Sequence, residues 1–233
     1  VQQRELVWVD GVWTAGVNAG ASMQVTVTPA WPNSVNRAHL IVVFGTDTLA
    51  TDNSPASVTV GGVAATQLIA EDSFSSVYLY LFKQPPKAAH NVVVTFVESL
   101  VNGSLFIAEL EGCDPTVAGL VAQVVGAEGT ATSSTLSLPS VQDGGYLLQA
   151  VTLWLGTLTT TATPVSPFSS QSNGITGSSP YRSRVAVSDV QQPAAGNFSP
   201  QYNFAASKTF AHAAVEVRGE PMFPMAASMG YGF

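Results

Sequence analysis

Met23-Gln24-Val25-Thr26-Val27-Thr28 decides the fold class. Its apolar residues Met23, Val25 and Val27 alternate with Gln24, Thr26 and Thr28. A period of two puts one set on each side of a pleated strand and predicts a half-buried β-strand. The same kind of short run recurs at 39–44, 57–60, 63–69, 77–82, 92–97, 104–111, 135–138, 146–155, 184–187 and 209–217, mostly bounded by Gly, Pro, Asn or Asp. Val60-Gly61-Gly62-Val63 reads as a tight hairpin, because paired glycines accept the positive φ of a primed turn. Only Pro115–Val125 is ambiguous between strand and helix, and Gly119 with its valine neighbours weighs against the helix.

Ten or more strands at this spacing predict an all-β protein built as an antiparallel two-sheet β-sandwich, jelly-roll-like, in one domain over 22–218. An N-terminal arm (1–21) and an apolar C-terminal arm (219–233) flank it. The segment 157–183, with its three prolines, reads as a long polar loop, and loops of that length are usually functional or mobile.

Composition narrows the function. The chain has 233 residues, 8 basic against 15 acidic, a formal charge of −7 and only 10% charged residues. That balance argues against nucleic-acid binding, which needs basic stripes along phosphates. No apolar run approaches the roughly 18–20 residues of a membrane span, so membrane insertion is not expected. Cys113 stands alone, so there is no internal disulfide and no cysteine-based zinc site.

Catalytic constellations are not evident. His39, His90 and His212 are scattered without ligand spacing and read as structural or solvent-exposed. There is no nucleophile elbow and no phosphate-binding glycine fingerprint. Glu109 and Glu111 share a strand face in an E-x-E spacing, but Gly112 ends the strand directly after them, so they read as a solvated strand end. The chain is therefore expected to be no enzyme and to need no cofactor. Asp47 and Asp52, in one loop with Asn53, offer hard oxygen ligands of the kind calcium takes, in no EF-hand pattern; a polar turn is the reading adopted.

Two groups of residues are candidate contacts with protein or glycan. In Val77–Phe82 the alternation puts Tyr78, Tyr80 and Phe82 on one face; they form an outward aromatic ribbon unless the strand is central and buried on both sides. The tail carries Met222, Phe223, Met225, Met229, Tyr231 and Phe233, flexible and aromatic side chains that suit interfaces. Its ending, Met-Gly-Tyr-Gly-Phe, reads as a packed terminus rather than a polar linker. It either caps its own sandwich or docks on a neighbour.

Four motifs in order, NRAHLIVVFG (36–45), SVTVGGVAATQL (57–68), SSVYLYLFKQPPKAAHNVVVTF (75–96) and LFIAELEGCDPT (105–116), resemble a β-sandwich module recurrent in bacterial surface proteins and phage virion structural proteins. The second half, with Gly144-Gly145-Tyr146-Leu147-Leu148, is similar in layout and weaker in motif. The resemblance implies an adhesive or structural unit and brings no catalytic residues. The expectation is a virion structural or assembly protein: a phage capsid decoration, head-spike or tail-associated subunit. Its partners would be copies of itself, as a trimer or other homo-oligomer, and other virion or surface proteins. The alternative is a lectin-like carbohydrate-binding or adhesion module of a secreted bacterial surface protein. Either places it in a virion or outside the cell.

Overall fold

The computed structural model describes residues 7–9 (backbone), 22–30, 33, 36–46, 54–72, 75–98, 100, 102–111, 120–142, 145–176, 181–191 and 193–218. They are almost entirely β-strand, and every strand pairing is antiparallel. The first half contains β1 (Val7–Val9), β2 (Ser22–Val27), β3 (Arg37–Thr46), β4 (Pro55–Val60), β5 (Val63–Ala64), β6 (Thr66–Glu71), β7 (Ser75–Lys83), β8 (His90–Phe96) and β9 (Asn102–Glu111). The second contains β10 (Val121–Thr135), β11 (Leu138–Val141), β12 (Tyr146–Gly156), β13 (Ala162–Pro164), β14 (Ser169–Thr176), β15 (Arg182–Gln191), β16 (Gly196–Phe198) and β17 (Gln201–Val217).

These strands form four sheets where two were expected. A central sheet runs β1-β9-β3-β7-β6, and a cover sheet runs β2-β8-β4-β5. A large sheet runs β10-β17-β12-β15-β14, with β13 on β17, and β11 pairs with β16. The reason lies in β3, which is buried at all ten positions. An antiparallel sheet normally keeps one face wet. Here Ala38, Leu40, Val42 and Phe44 pack with Tyr146, Leu148, Ala150 and Val215 of the large sheet. The opposite face, with Ile41, Val43, Leu105 and Ile107, packs on Val25, Val58, Val92 and Val94 of the cover sheet. Beyond the large sheet, Val151, Leu153, Tyr202 and Phe204 form one outer cluster, and Leu136, Leu138, Leu147 and Phe168 another.

Two segments depart from their sequence reading. The expected polar loop 157–183 holds β13 and β14. Its Ser and Asn residues do not alternate with apolar ones because β14 is an exposed edge strand with no core face to fill. The ambiguous stretch ending at Val125 runs into β10, a strand of 15 residues. Within the expected N-terminal arm, β1 is hydrogen-bonded to β9.

The Gly61-Gly62 hairpin forms as read. Both residues have positive φ, +58° and +84°. A Cβ on Gly61 would meet Pro86 Cγ at 3.0 Å, whereas one on Gly62 would meet nothing within 4 Å. Left-handed backbone costs a residue bearing Cβ about 1–2 kcal/mol. Gly62→Ala should therefore lower stability by about that amount, and Gly61→Ala by more, since Pro86 must also move. Urea midpoints of the two variants, compared with the parent, check the order.

Candidate functional site

Three polar clusters and one set of strand edges are among the places where the described residues depart from packed hydrocarbon. The first cluster lies between the central and cover sheets. Glu109, read as solvated, is fully buried. Its Oε1 accepts from Arg37 Nη1 at 3.1 Å, and its Oε2 accepts from the Ala30 amide at 3.0 Å. Arg37 Nη2 also donates to the Pro85 carbonyl at 2.7 Å. The ion pair ties β3, β9, the segment before β3 and the turn after β7 together. Glu111 is only half-buried, so the two carboxylates do not share one environment. Removing one member of a buried pair strands the other charge at a cost of about 3–5 kcal/mol. Glu109→Ala should lose stability in that range. The double change Arg37→Met with Glu109→Leu should recover most of it, as read by chemical denaturation.

Beside this pair, His39 and His90 stack with ring centroids 5.1 Å apart. His90 Nδ1 donates to the Ala88 carbonyl at 2.9 Å. Both ring nitrogens of buried His39 lack hydrogen-bond partners. Burial first, then the neighbouring His90 and Arg37, lowers its pKa to about 3.

The second cluster sits on the outer face of the large sheet. Gln149 Nε2 donates to Ser188 Oγ at 2.9 Å, so its Oε1 is the acceptor facing His212 Nε2 at 3.1 Å. His212 is therefore protonated at Nε2, and its Nδ1 accepts from Ser134 Oγ at 2.9 Å. Tyr202 donates its hydroxyl to Ser188 Oγ at 2.9 Å and packs edge-on against the His212 ring. Burial lowers the His212 pKa to about 3. Both depressed histidines stay neutral in the fold but take a proton near 6.5 once unfolded. Their contribution is complete above about pH 6.5 and drains away as pH falls toward about 3. The urea midpoint should be flat above neutrality and decline steadily below about pH 6. The His212→Gln variant, measured over the same range, should show a shallower decline.

The third cluster is Thr46, Ser75 and Ser183, where the central and large sheets meet. Ser183 Oγ lies 2.8 Å from both other hydroxyls. None of the three clusters combines an exposed nucleophile with a base. Among the described residues, no group of three or more His, Cys, Asp or Glu is placed to hold a metal. Asp47 and Asp52 lie outside the described residues.

The aromatic ribbon is a correction. Tyr78 and Tyr80 are 1% and 4% exposed, and Phe82 is half-buried; all three pack in the core beneath the cover sheet. Tyr80 reaches Gln67 Oε1 through its hydroxyl at 2.9 Å, and burial raises its pKa to about 12. Tyr78 and Tyr80 are not presented to a glycan, because β7 is covered on both faces there; Phe82, near its end, is partly exposed. Met222, Phe223, Met225, Met229, Tyr231 and Phe233 lie outside the described residues. The aromatic pair that does reach the surface is Trp154 with Tyr181, centroids 6.5 Å apart, and Tyr181 is 38% exposed. Tyr181 lies in the segment 157–183, which with Phe168 also reads as a candidate contact surface; Phe168 is buried, and no local pattern links Tyr181 to Trp154.

Strand edges are the least protected surface. β2, β10 and β14 each end a sheet. β2 (SMQVTV) and β14 (SSQSNGIT) carry no charged residue, and β10 carries only Glu128. Edge strands usually carry Lys, Pro or a covering loop that blocks pairing with another chain. β14 is the clearest case, exposed or half-exposed from Ser169 to Ile175. Among the described residues, no helix is long and apolar enough to cross a membrane.

No protein-family model, curated protein or solved structure matches this chain.

Proposed function

We propose that this chain is a non-enzymatic structural subunit that assembles with copies of itself, a jelly-roll-like sandwich serving as a phage capsid decoration, head-spike or tail-associated protein. The observation that carries the reading is the uncharged, exposed edge of β14, supported by the similar edges of β2 and β10. An exposed edge offers unpaired N–H and C=O groups, and a second chain satisfies them by adding a strand. In this reading the Met- and aromatic-rich sequence 219–233, which lies outside the described residues, would supply apolar area to a neighbour. The resemblance of 36–116 to modules of bacterial surface and phage virion proteins supports this reading and the next one equally.

A glycan-binding or adhesion module is the second reading. It is favoured by Trp154 and Tyr181, whose surface rings offer a stacking platform that the buried tyrosines of β7 do not.

Light scattering of three chains tests the assembly reading: the full chain, one ending at Arg218, and one carrying Ser170→Lys with Ser172→Lys on the β14 edge. A defined oligomer is expected for the full chain, with folded monomer after truncation and weaker association with the edge lysines. Folded monomer in all three overturns assembly. Binding to immobilised oligosaccharides that is lost in Trp154→Ala would then establish the glycan reading.

A further inference from the structure

The two five-strand sheet paths are the same path written twice. The central sheet orders its strands β1-β9-β3-β7-β6, and the large sheet β10-β17-β12-β15-β14. Replacing β1, β3, β6, β7 and β9 by β10, β12, β14, β15 and β17 converts one into the other with chain order intact. The smaller pairings follow suit. β2 pairs with β8 as β11 pairs with β16. β4 pairs with β8, Pro55 facing Phe96, whereas β13 pairs with the start of β17, Ala162 facing Phe204, so β16 and the first residues of β17 together take the place of β8.

Register repeats as well as order. Leu40 stands opposite Ala108 and Leu81; Leu148 stands opposite Val215 and Asp189. β6 is bulged against β7 between Gln67 and Ile69, facing Tyr80 and Leu79. β14 is bulged against β15 between Ser170 and Ser172, facing Ser188 and Val187, the same two positions displaced by 108 residues (80 to 188, 79 to 187). A bulge is a specific local device rather than a generic property of sheets. The buried carboxylate recurs too. Glu109 in Ala-Glu-Leu-Glu-Gly accepts the Ala30 amide ahead of β3, and Glu216 in Val-Glu-Val-Arg-Gly accepts the Gln142 amide ahead of β12, at 2.9 Å.

We infer that the chain is a tandem duplication of one two-layered β module, 7–111 and 121–217, whose halves dock through the same face of each. The seam between the central and large sheets is built from matching positions: Leu40 with Leu148, Val77 with Val185 and Ala108 with Val215 all belong to it. Ser75 and Ser183, which stand opposite the matching positions Thr46 and Trp154 in their own sheets, touch each other across it at 2.8 Å. A contact between equivalent residues on equivalent faces is the mark of an isologous interface. The partner this sheet face fits is therefore a second copy of its own module, here supplied by the same chain. The inference does not depend on the assembly reading.

Hydrogen exchange of the full chain, with one outer core weakened at a time, tests it. Val94→Ala lies in the core under the cover sheet, and Leu153→Ala lies in the outer cluster of the large sheet. Two modules predict that Val94→Ala speeds exchange at least tenfold in β2, β4 and β8 while β12, β15 and β17 keep parental rates. Leu153→Ala should do the reverse. If Val94→Ala fails to fold, Val92→Ala gives the same readout. Acceleration spread evenly over both halves by either variant would overturn the division into modules.

Discussion

Everything in this molecule depends on a sheet that water reaches on neither side. β3 carries apolar residues on both faces, so the central sheet needs a layer above it and a layer below. Burying apolar area contributes about 25 cal/mol per Å², and a sheet sealed twice draws on it from both directions. The cover sheet satisfies one face and the large sheet the other. Polar groups inside the stack are admitted only with partners or in neutral form: Glu109 with Arg37, and His212 within its Gln–Ser–Tyr network.

Much of the strand pattern was legible because alternation is local. Val60-Gly61-Gly62-Val63 announced its hairpin, and Met23–Val27 its half-buried strand, from four and five residues. What escaped was set at a distance. The partner of Glu109 lies 72 residues away, so no local pattern tells a buried carboxylate from a solvated one. Tyr78 and Tyr80 look the same in sequence whether their face meets solvent or the cover sheet. β14 escaped for the opposite reason, since an exposed edge strand imposes no apolar period.

The candidate contact surfaces were the least legible part. Aromatic spacing drew attention to β7, whose Tyr78 and Tyr80 are buried, whereas Trp154 and Tyr181, separated in sequence, are joined at the surface by packing. The free edges of β2, β10 and β14 become visible only once strand order is known, because an edge is a property of the sheet and not of the strand. Their lack of charge was on view from the start in a chain with only 10% charged residues.

The position of β17 has a consequence for synthesis. It is the last strand made, yet it lies between β10 and β12 in the large sheet. Until it leaves the ribosome, β10 has no neighbour in that sheet, and the sheet cannot close. β9 holds the corresponding place between β1 and β3 and is complete by Glu111. The nascent chain therefore completes its first half while the second is still being translated. That half emerges with one sheet face bare, waiting for its counterpart.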